Sequence, residues 1–273
     1  MIFWDSKAFL MRARIAVATA CVAFLGFGVM FAQRGFRPFA DEEDNPTAIP
    51  PDANEKTEWT FTRLRYPSGR FWGYKGFWSI DYPKADRQFV QGVRRLTRLH
   101  TRSVENVVSL DDDEIFNWPW IYVVEPGHWT LSDAQCKKLR EYLLRGGFMM
   151  TDDFHGTEEW EVFMMSLSRV FPDKPVLEIE NKDEVFHVIY DLDERFQVPG
   201  IVNRPYFRTY ERDGVEPHWR GIYDDRGRLI VGINFNQDLG DAWEWADDPT
   251  YPEKYASLAY RIGINYIVYS MTH

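Results

Sequence analysis

The chain reads as an α/β protein of three layers, with one dominant, mainly parallel sheet and helices on both faces. Three observations predict this. Trp120-Ile121-Tyr122-Val123-Val124 is a short unbroken apolar run, as expected of a strand whose sheet is covered on both faces. A helical pattern follows it, opened by Ser132 with Gln135 three residues on and stopped by Gly146-Gly147. Phe148-Met149-Met150-Thr151 is then a second apolar strand, and strand, helix, strand at these lengths is a right-handed crossover between parallel neighbours.

The other elements follow in chain order. Ile15 to Gln33 carries no charge and is close to the ~20 residues that span a bilayer, with Arg12 and Arg14 before it. Residues 1–37 are therefore expected to be a signal or N-terminal transmembrane segment with its flanks. Residues 38–57 form an acidic, Pro-rich linker, and residues 58–273 form a single α/β domain. The domain is expected to be extracytoplasmic (periplasmic), secreted or membrane-anchored through residues 15–33. Within it, 59–64 alternates as a strand, and Phe89, Val90, Val93, Leu96 and Leu99 give an amphipathic helix over 84–99. A helix after Gly156, capped by Thr157, buries Trp160, Phe163, Met164, Leu167, Val170 and Phe171. A strand at 176–179 and an irregular stretch at 190–217 come next. An Asp-Asp-Arg-Gly turn then pairs 218–223 with 228–235 as a hairpin, and the last helix covers 253–270.

Composition narrows the function. The 273 residues carry a formal net charge of -10, and without the basic flanks in residues 1–37 the remainder stands at -14. Such a surface repels polyanions, so nucleic acid is excluded as a partner. Cations and small polar or carbohydrate ligands suit it better. Two cysteines, Cys21 and Cys136, can build neither a disulfide framework nor a zinc cluster.

Ligands of open α/β sheets bind beyond the carboxyl ends of the strands. That rule selects Arg65 and Tyr66 after the first strand, and Glu125 after 120–124. It also selects Asp152, Asp153 and His155 after 148–151, and Asn234, Asn236 and Asp238 at the end of 228–235. Glu125 with Asp152 or Asp153 would make a carboxylate pair for acid–base work if their strands are neighbours. Asp152, Asp153 and His155 offer oxygen and nitrogen ligands to a divalent metal, although no cofactor is required. The plainer alternative is that the two aspartates cap the next helix and pair with Arg65 or a neighbour.

Several stretches resemble one bacterial family, catalogued as domain of unknown function 4159. They are TRLRYPSGR (62–70), DYPKADRQF (81–89), EPGHWTLSD (125–133), LREYLLRGGFMMTDDFHG (139–156), INFNQDLGDAWEWADDP (233–249) and YRIGINYIVYSMTH (260–273). More loosely, the helix-GG-strand-polar run is similar to the class I glutamine amidotransferase-like fold and its ThuA-like branch. The resemblance implies a flavodoxin-like sheet with a site near Asp152–His155, and brings no established reaction. Association of such chains with MoxR-type ATPases and von Willebrand-type domains implies envelope protein partners. Amidotransferases of that fold carry a nucleophilic cysteine on a strand-to-helix turn. Cys136 sits instead in a first helical turn, facing the core with Leu139 and Leu143, where a thiol is inert. The resulting expectation is a non-catalytic or ligand-sensing component of a cell-envelope complex. The alternative is a metal- or carboxylate-dependent hydrolase of a carbohydrate-like substrate.

Overall fold

The computed structural model describes residues 50–68, 76–201 and 208–273. The apolar segment at 15–33 and most of the linker lie outside the described residues. Residues from Pro50 onward form one compact unit. Residues 50–57, expected to be linker, belong to it: Asp52 accepts hydrogen bonds from the backbone N–H and hydroxyl of Ser103, and Ala53 is buried.

The sheet has seven strands: β1 (Thr62–Arg65), β2 (Asn106–Ser109), β3 (Trp120–Val124), β4 (Phe148–Asp152), β5 (Leu177–Glu178), β6 (His218–Tyr223) and β7 (Leu229–Phe235). Their order is β2-β1-β3-β4-β7-β6-β5. Neighbours from β2 to β7 are parallel, whereas β6 pairs antiparallel with both β7 and β5. The helices are α1 (Lys84–Leu96), α2 (Asp133–Leu144), α3 (Gly156–Val170), α4 (Leu239–Glu244) and α5 (Glu253–Thr272). The arrangement is consistent with the three-layer flavodoxin-like class that the sequence predicts.

Side chains alternate across β3 and β4, so Trp120, Tyr122, Val124, Phe148 and Met150 enter one core, shared with α1, α4 and α5. Cys136, Leu139, Leu143, Phe163 and Leu167 are buried on α2 and α3. The first core contains a connected aromatic cluster. Trp59, Phe61, Phe89, Trp120, Tyr122 and Trp243 touch one another with ring centroids 4.3–6.3 Å apart, mostly edge-on or tilted. Burying each such ring contributes about 2–3 kcal/mol, and edge-on pairs add about 0.5–1.5. This packing is the rigid floor beneath the strand ends.

Several expectations are corrected in detail. Trp59 makes only an isolated bridge to Thr101, so β1 starts at Thr62. The helix at 84 stops at Leu96, and Leu96 itself is exposed. Strand β2 and helix α4 have no counterpart in the sequence reading, both being too short to carry a period. Helix α3 is not capped by Thr157. Its first N–H groups, from Gly156 and Thr157, are taken by Asn236 Oδ1 at 2.9 Å and Asp213 Oδ1 at 2.9 Å. Those caps come from residues 80 and 56 positions away, which no local pattern reveals. The Ser132/Gln135 capping box of α2 forms as predicted.

Candidate functional site

From β1 the chain crosses to β2 on one side, and β3 then lies on the other. The crevice beyond β1 and β3 is therefore the topological switch point, where open sheets take their ligands. Two groups of charged side chains meet along this carboxyl edge.

The first group begins at Glu125, the residue after β3, whose backbone is left-handed at φ 50°. Its N–H is held by Asp152 O at 3.1 Å, and the Tyr66 hydroxyl donates to Glu125 O at 2.7 Å and Val124 O at 2.8 Å. A tight turn, Pro126–His128, then brings His128 Nε2 to 3.2 Å from Glu125 Oε2 and 3.2 Å from Glu159 Oε1 on α3. Gly127 permits this approach, because a Cβ there would lie 2.5 Å from Glu159 Cβ. Arg212 reaches Glu159 Oε1 at 2.6 Å, and the His155 N–H donates to Glu159 Oε2 at 2.6 Å. The Phe77 ring stacks on His128, with centroids 3.6 Å apart.

Electrostatics follow from this geometry. Burial acts to discharge His128, but its bonds to Glu125 and Glu159 prevail and hold the imidazolium up to about 9. Burial raises Glu125, with Glu159 adding to the effect. Glu159 is pushed down: burial opposes this, and the bonds from His128, His155 N–H and Arg212 overcome it. Two carboxylates thus share an imidazolium and a guanidinium, and the group is close to neutral.

The second group lies at the α4 side of the same edge. Asp152 Oδ2 accepts from the N–H groups of Leu239 at 2.7 Å and Gly240 at 3.1 Å, so it caps α4 rather than α3. Burial nevertheless lifts Asp152 to about 7. The Tyr122 hydroxyl is near enough to steady that charge, yet it forms no hydrogen bond of acceptable geometry to Asp152 or any other group. Asp153, left-handed at φ 56°, has Oδ1 3.3 Å from His155 Nε2. Burial first, then the neighbouring acids Glu125, Asp81 and Asp152, raises Asp153 well above its ordinary value. Burial likewise drives His155 down, towards the neutral ring. Asp81, Asp238 and Asp241 each bring a carboxylate oxygen within 4.8 Å of the others. Burial raises all three, and nearby acids add to it: Asp241 for Asp81, Asp153 and Asp241 for Asp238, and Glu211 for Asp241.

Arg63 stands below this group with no exposed surface. It is paired with Asp86 through Nε and Nη2, and Nη1 donates to Trp78 O at 3.0 Å and Ile80 O at 2.8 Å. Burial works against its charge, and Asp86 prevails, holding Arg63 above the ordinary guanidinium range. This arginine ties the loop that carries Asp81 to β1.

Strain concentrates here. The non-glycine residues with positive φ among the described residues are Asp81, Glu125, Asp153, Arg212 and Asn236. Each belongs to one of the two groups or, as Asn236 does, caps the adjoining helix. Such conformations cost of order 1–3 kcal/mol each and persist where surrounding contacts impose them.

The strand-end residues named from sequence thus have different roles. Glu125, Asp152, Asp153, His155, Asp238 and Tyr66 converge. Arg65 is exposed and forms no ion pair with Asp152 or Asp153; the neighbour beside Asp153 is His155. Asn234 is spent on structure, donating to Thr151 O at 2.9 Å and accepting from the Tyr266 hydroxyl at 3.2 Å. Asn236 holds Gly156 N and donates to Glu216 O at 2.7 Å. Glu125 and Asp152 lie on neighbouring strands, in the register Val124↔Asp152. Their side chains, however, serve different groups. Sequence reasoning missed Asp81, His128, Glu159 and Arg212. Only the EPGH turn, a Gly beside a Pro and a His after an apolar strand, carried a local signal. Cys136 is buried, its thiol facing Ser166 O at 3.8 Å and pushed up by burial, remote from both groups.

A cavity of about 410 Å³ opens beside the start of α3, lined by Thr157, Trp160, His218, Arg220, Phe235 and Asn236. Its size falls in the range of small-molecule pockets. Among the described residues, no helix is long and apolar enough to cross a membrane. None of the curated proteins matches the chain. Residues 60–271 match the family described as a domain of unknown function, DUF4159, and the chain belongs to that family.

Proposed function

We propose that this chain is an extracytoplasmic binding domain of a cell-envelope complex, held at the membrane through residues 15–33, that receives a small hydroxyl-rich ligand at the carboxyl edge of its sheet. The observation that carries the ligand reading is the Glu125–His128–Glu159–Arg212 group at the switch point. It alternates acceptors and charged donors in fixed positions, which suits hydroxyls because each both donates and accepts. His128 and Arg212 keep 25% and 49% of their side-chain surface, so the group is reachable from solvent. The adjoining cavity adds Trp160 and Phe235 faces, against which the apolar side of a sugar ring packs. The extracytoplasmic part of the reading is supported by the uncharged run at 15–33 and its basic flank.

Two measurements test it. Alkaline phosphatase fused after His273 is active only outside the cytoplasm, so an inactive fusion would refute the location. For the ligand, saturation-transfer NMR on the detergent-solubilised full chain with glucosamine as probe is expected to show transfer, reduced several-fold in His128→Gln. Equal signals in both proteins would sink the binding reading at this group.

A second reading is favoured by one feature. Glu125 occupies a left-handed strand-end turn, and burial raises its carboxyl beside a histidine, an arrangement suited to general acid–base hydrolysis of a carbohydrate-like substrate. Release of nitrophenol from nitrophenyl glycosides, abolished in Glu125→Gln, would favour the hydrolase over the binding domain.

A further inference from the structure

We propose that Asp81, Asp238 and Asp241 form a binding site for a hard divalent cation of the calcium class, at the α4 side of the carboxyl edge. The site is separate from the Glu125 group, so either can fail without the other.

Two groups of side chains in the described residues are spaced to grip an ion, and charge distinguishes them. Glu125, His128 and Glu159 already hold an imidazolium between the carboxylates, with Arg212 alongside. Asp81, Asp238 and Asp241 make no ion pair with any Lys, Arg or His among the described residues, and Arg63, the guanidinium whose charge acts on Asp81, is committed to Asp86. Three carboxylates, with Asp152 and Asp153 beside them, cannot all be ionised in a buried space without a counter-charge.

The geometry suits a cation rather than a chance crowding. The three oxygens lie within 4.8 Å of one another. Calcium binds oxygens at about 2.3–2.6 Å in flexible geometry, so oxygens up to about 5 Å apart can share one ion. Magnesium demands near-ideal octahedral geometry and keeps several waters, so a set of three carboxylates suits calcium better. Two of the carboxylates are fixed, and by neutral donors only. Asp238 Oδ1 accepts from Asp241 N–H at 2.7 Å. Asp241 accepts from Ile201 N–H at 2.6 Å and Trp245 Nε1–H at 3.1 Å. Their charges are therefore held in place but not cancelled.

An independent observation points the same way. Tyr122 has no exposed surface, and its hydroxyl has no hydrogen-bond partner. Asp81 Oδ2 is also buried without a partner. Both face one spot beside Gly240, where a Cβ would lie 2.4 Å from Asp81 Oδ2 and 3.0 Å from the Tyr122 oxygen. Leaving a buried hydroxyl and a buried carboxylate oxygen unsatisfied costs about 1–3 kcal/mol each. A cation with a bound water satisfies both, the carboxylate as ligand and the hydroxyl through the water.

The test uses the full chain, solubilised in detergent and stripped with EDTA. Terbium, a calcium stand-in, is titrated while exciting the aromatic side chains, since Tyr122 and Trp245 adjoin the site. Saturable sensitised emission, reversed by calcium, is expected, together with a rise of several degrees in melting temperature on adding calcium. Asp238→Asn keeps the α4 cap, because Asn caps as well as Asp, and is expected to weaken calcium binding at least ten-fold. Asp225→Asn, an exposed carboxylate in the hairpin turn, is expected to bind as the parent does. If Asp238→Asn does not fold, Asp81→Asn carries the same expectation. Absence of saturable emission in the parent overturns the site, as does parental affinity in both aspartate variants. If the carboxylates merely share protons, calcium leaves the melting temperature unchanged and the Asn variants melt higher than the parent.

Discussion

His128 offers the sharpest check on the electrostatics at the switch point. In an unfolded chain its imidazole titrates near 6.5, and in the fold it is held to about 9. The folded state thus binds the proton a few hundred-fold more tightly, equivalent to about 3 kcal/mol for a fully enclosed ring. A quarter of the side chain is exposed, and solvent screening reduces that to about 1–2 kcal/mol. The sign follows from linkage. The raised value means the contribution is fully present below pH 6.5 and is lost as pH rises through 9. Urea unfolding at pH 6 and pH 9.5 is the assay, comparing the parent with His128→Gln. The parent is expected to lose about 1–2 kcal/mol more than the variant across that interval. Histidine NMR supplies the direct value, since one of the six rings should titrate near 9 and vanish in the variant. A His128 signal that titrates at or below 6.5, or an identical pH dependence in the two proteins, refutes the imidazolium clamp.

Other expectations concern the elements that hold the site. Gly127→Ala places a Cβ 2.5 Å from Glu159 Cβ and 3.2 Å from Glu159 Cα, and should cost about 1–3 kcal/mol in urea unfolding, with His128 returning towards its ordinary titration. Arg63→Met leaves Asp86 buried and unpaired and should cost about 3–5 kcal/mol, whereas the double variant Arg63→Met/Asp86→Leu should recover much of it. A double-mutant cycle by thermal melting reads this directly. Asn236→Ala removes the acceptor for Gly156 N–H and the donor to Glu216 O, and should lower stability by about 1–3 kcal/mol and speed amide exchange in the first turn of α3. Ser132→Ala breaks the α2 capping box for about 1 kcal/mol, measurable as a shift in urea midpoint.

Local physics made part of this molecule readable in its sequence. The apolar runs of β3 and β4, the capping box at Ser132 and the glycine stop at Gly146 are all set by residues within one or two turns of one another. Alternation and period therefore disclosed the central crossover, the hairpin of β6 and β7, and the edge of the sheet where a ligand would bind. Six of the strand-end residues chosen by that rule do meet there. The partners that give them chemistry come from elsewhere. Glu159 lies on the outer helix α3, Arg212 and Asp213 lie in the connection before β6, and Asp81 sits in a loop pinned by the buried Arg63. Pairings such as Asn236 with Gly156 or Arg63 with Asp86 join residues separated by 80 and 23 positions, and no periodicity encodes them. Which carboxylates share a cation, which are left without one, and which asparagines serve only the backbone depend on distances of a few ångströms between distant segments. Burial and Coulomb energy act over those distances, so chain folding decided the site's charge state, while the sequence by itself determined only the edge on which it lies.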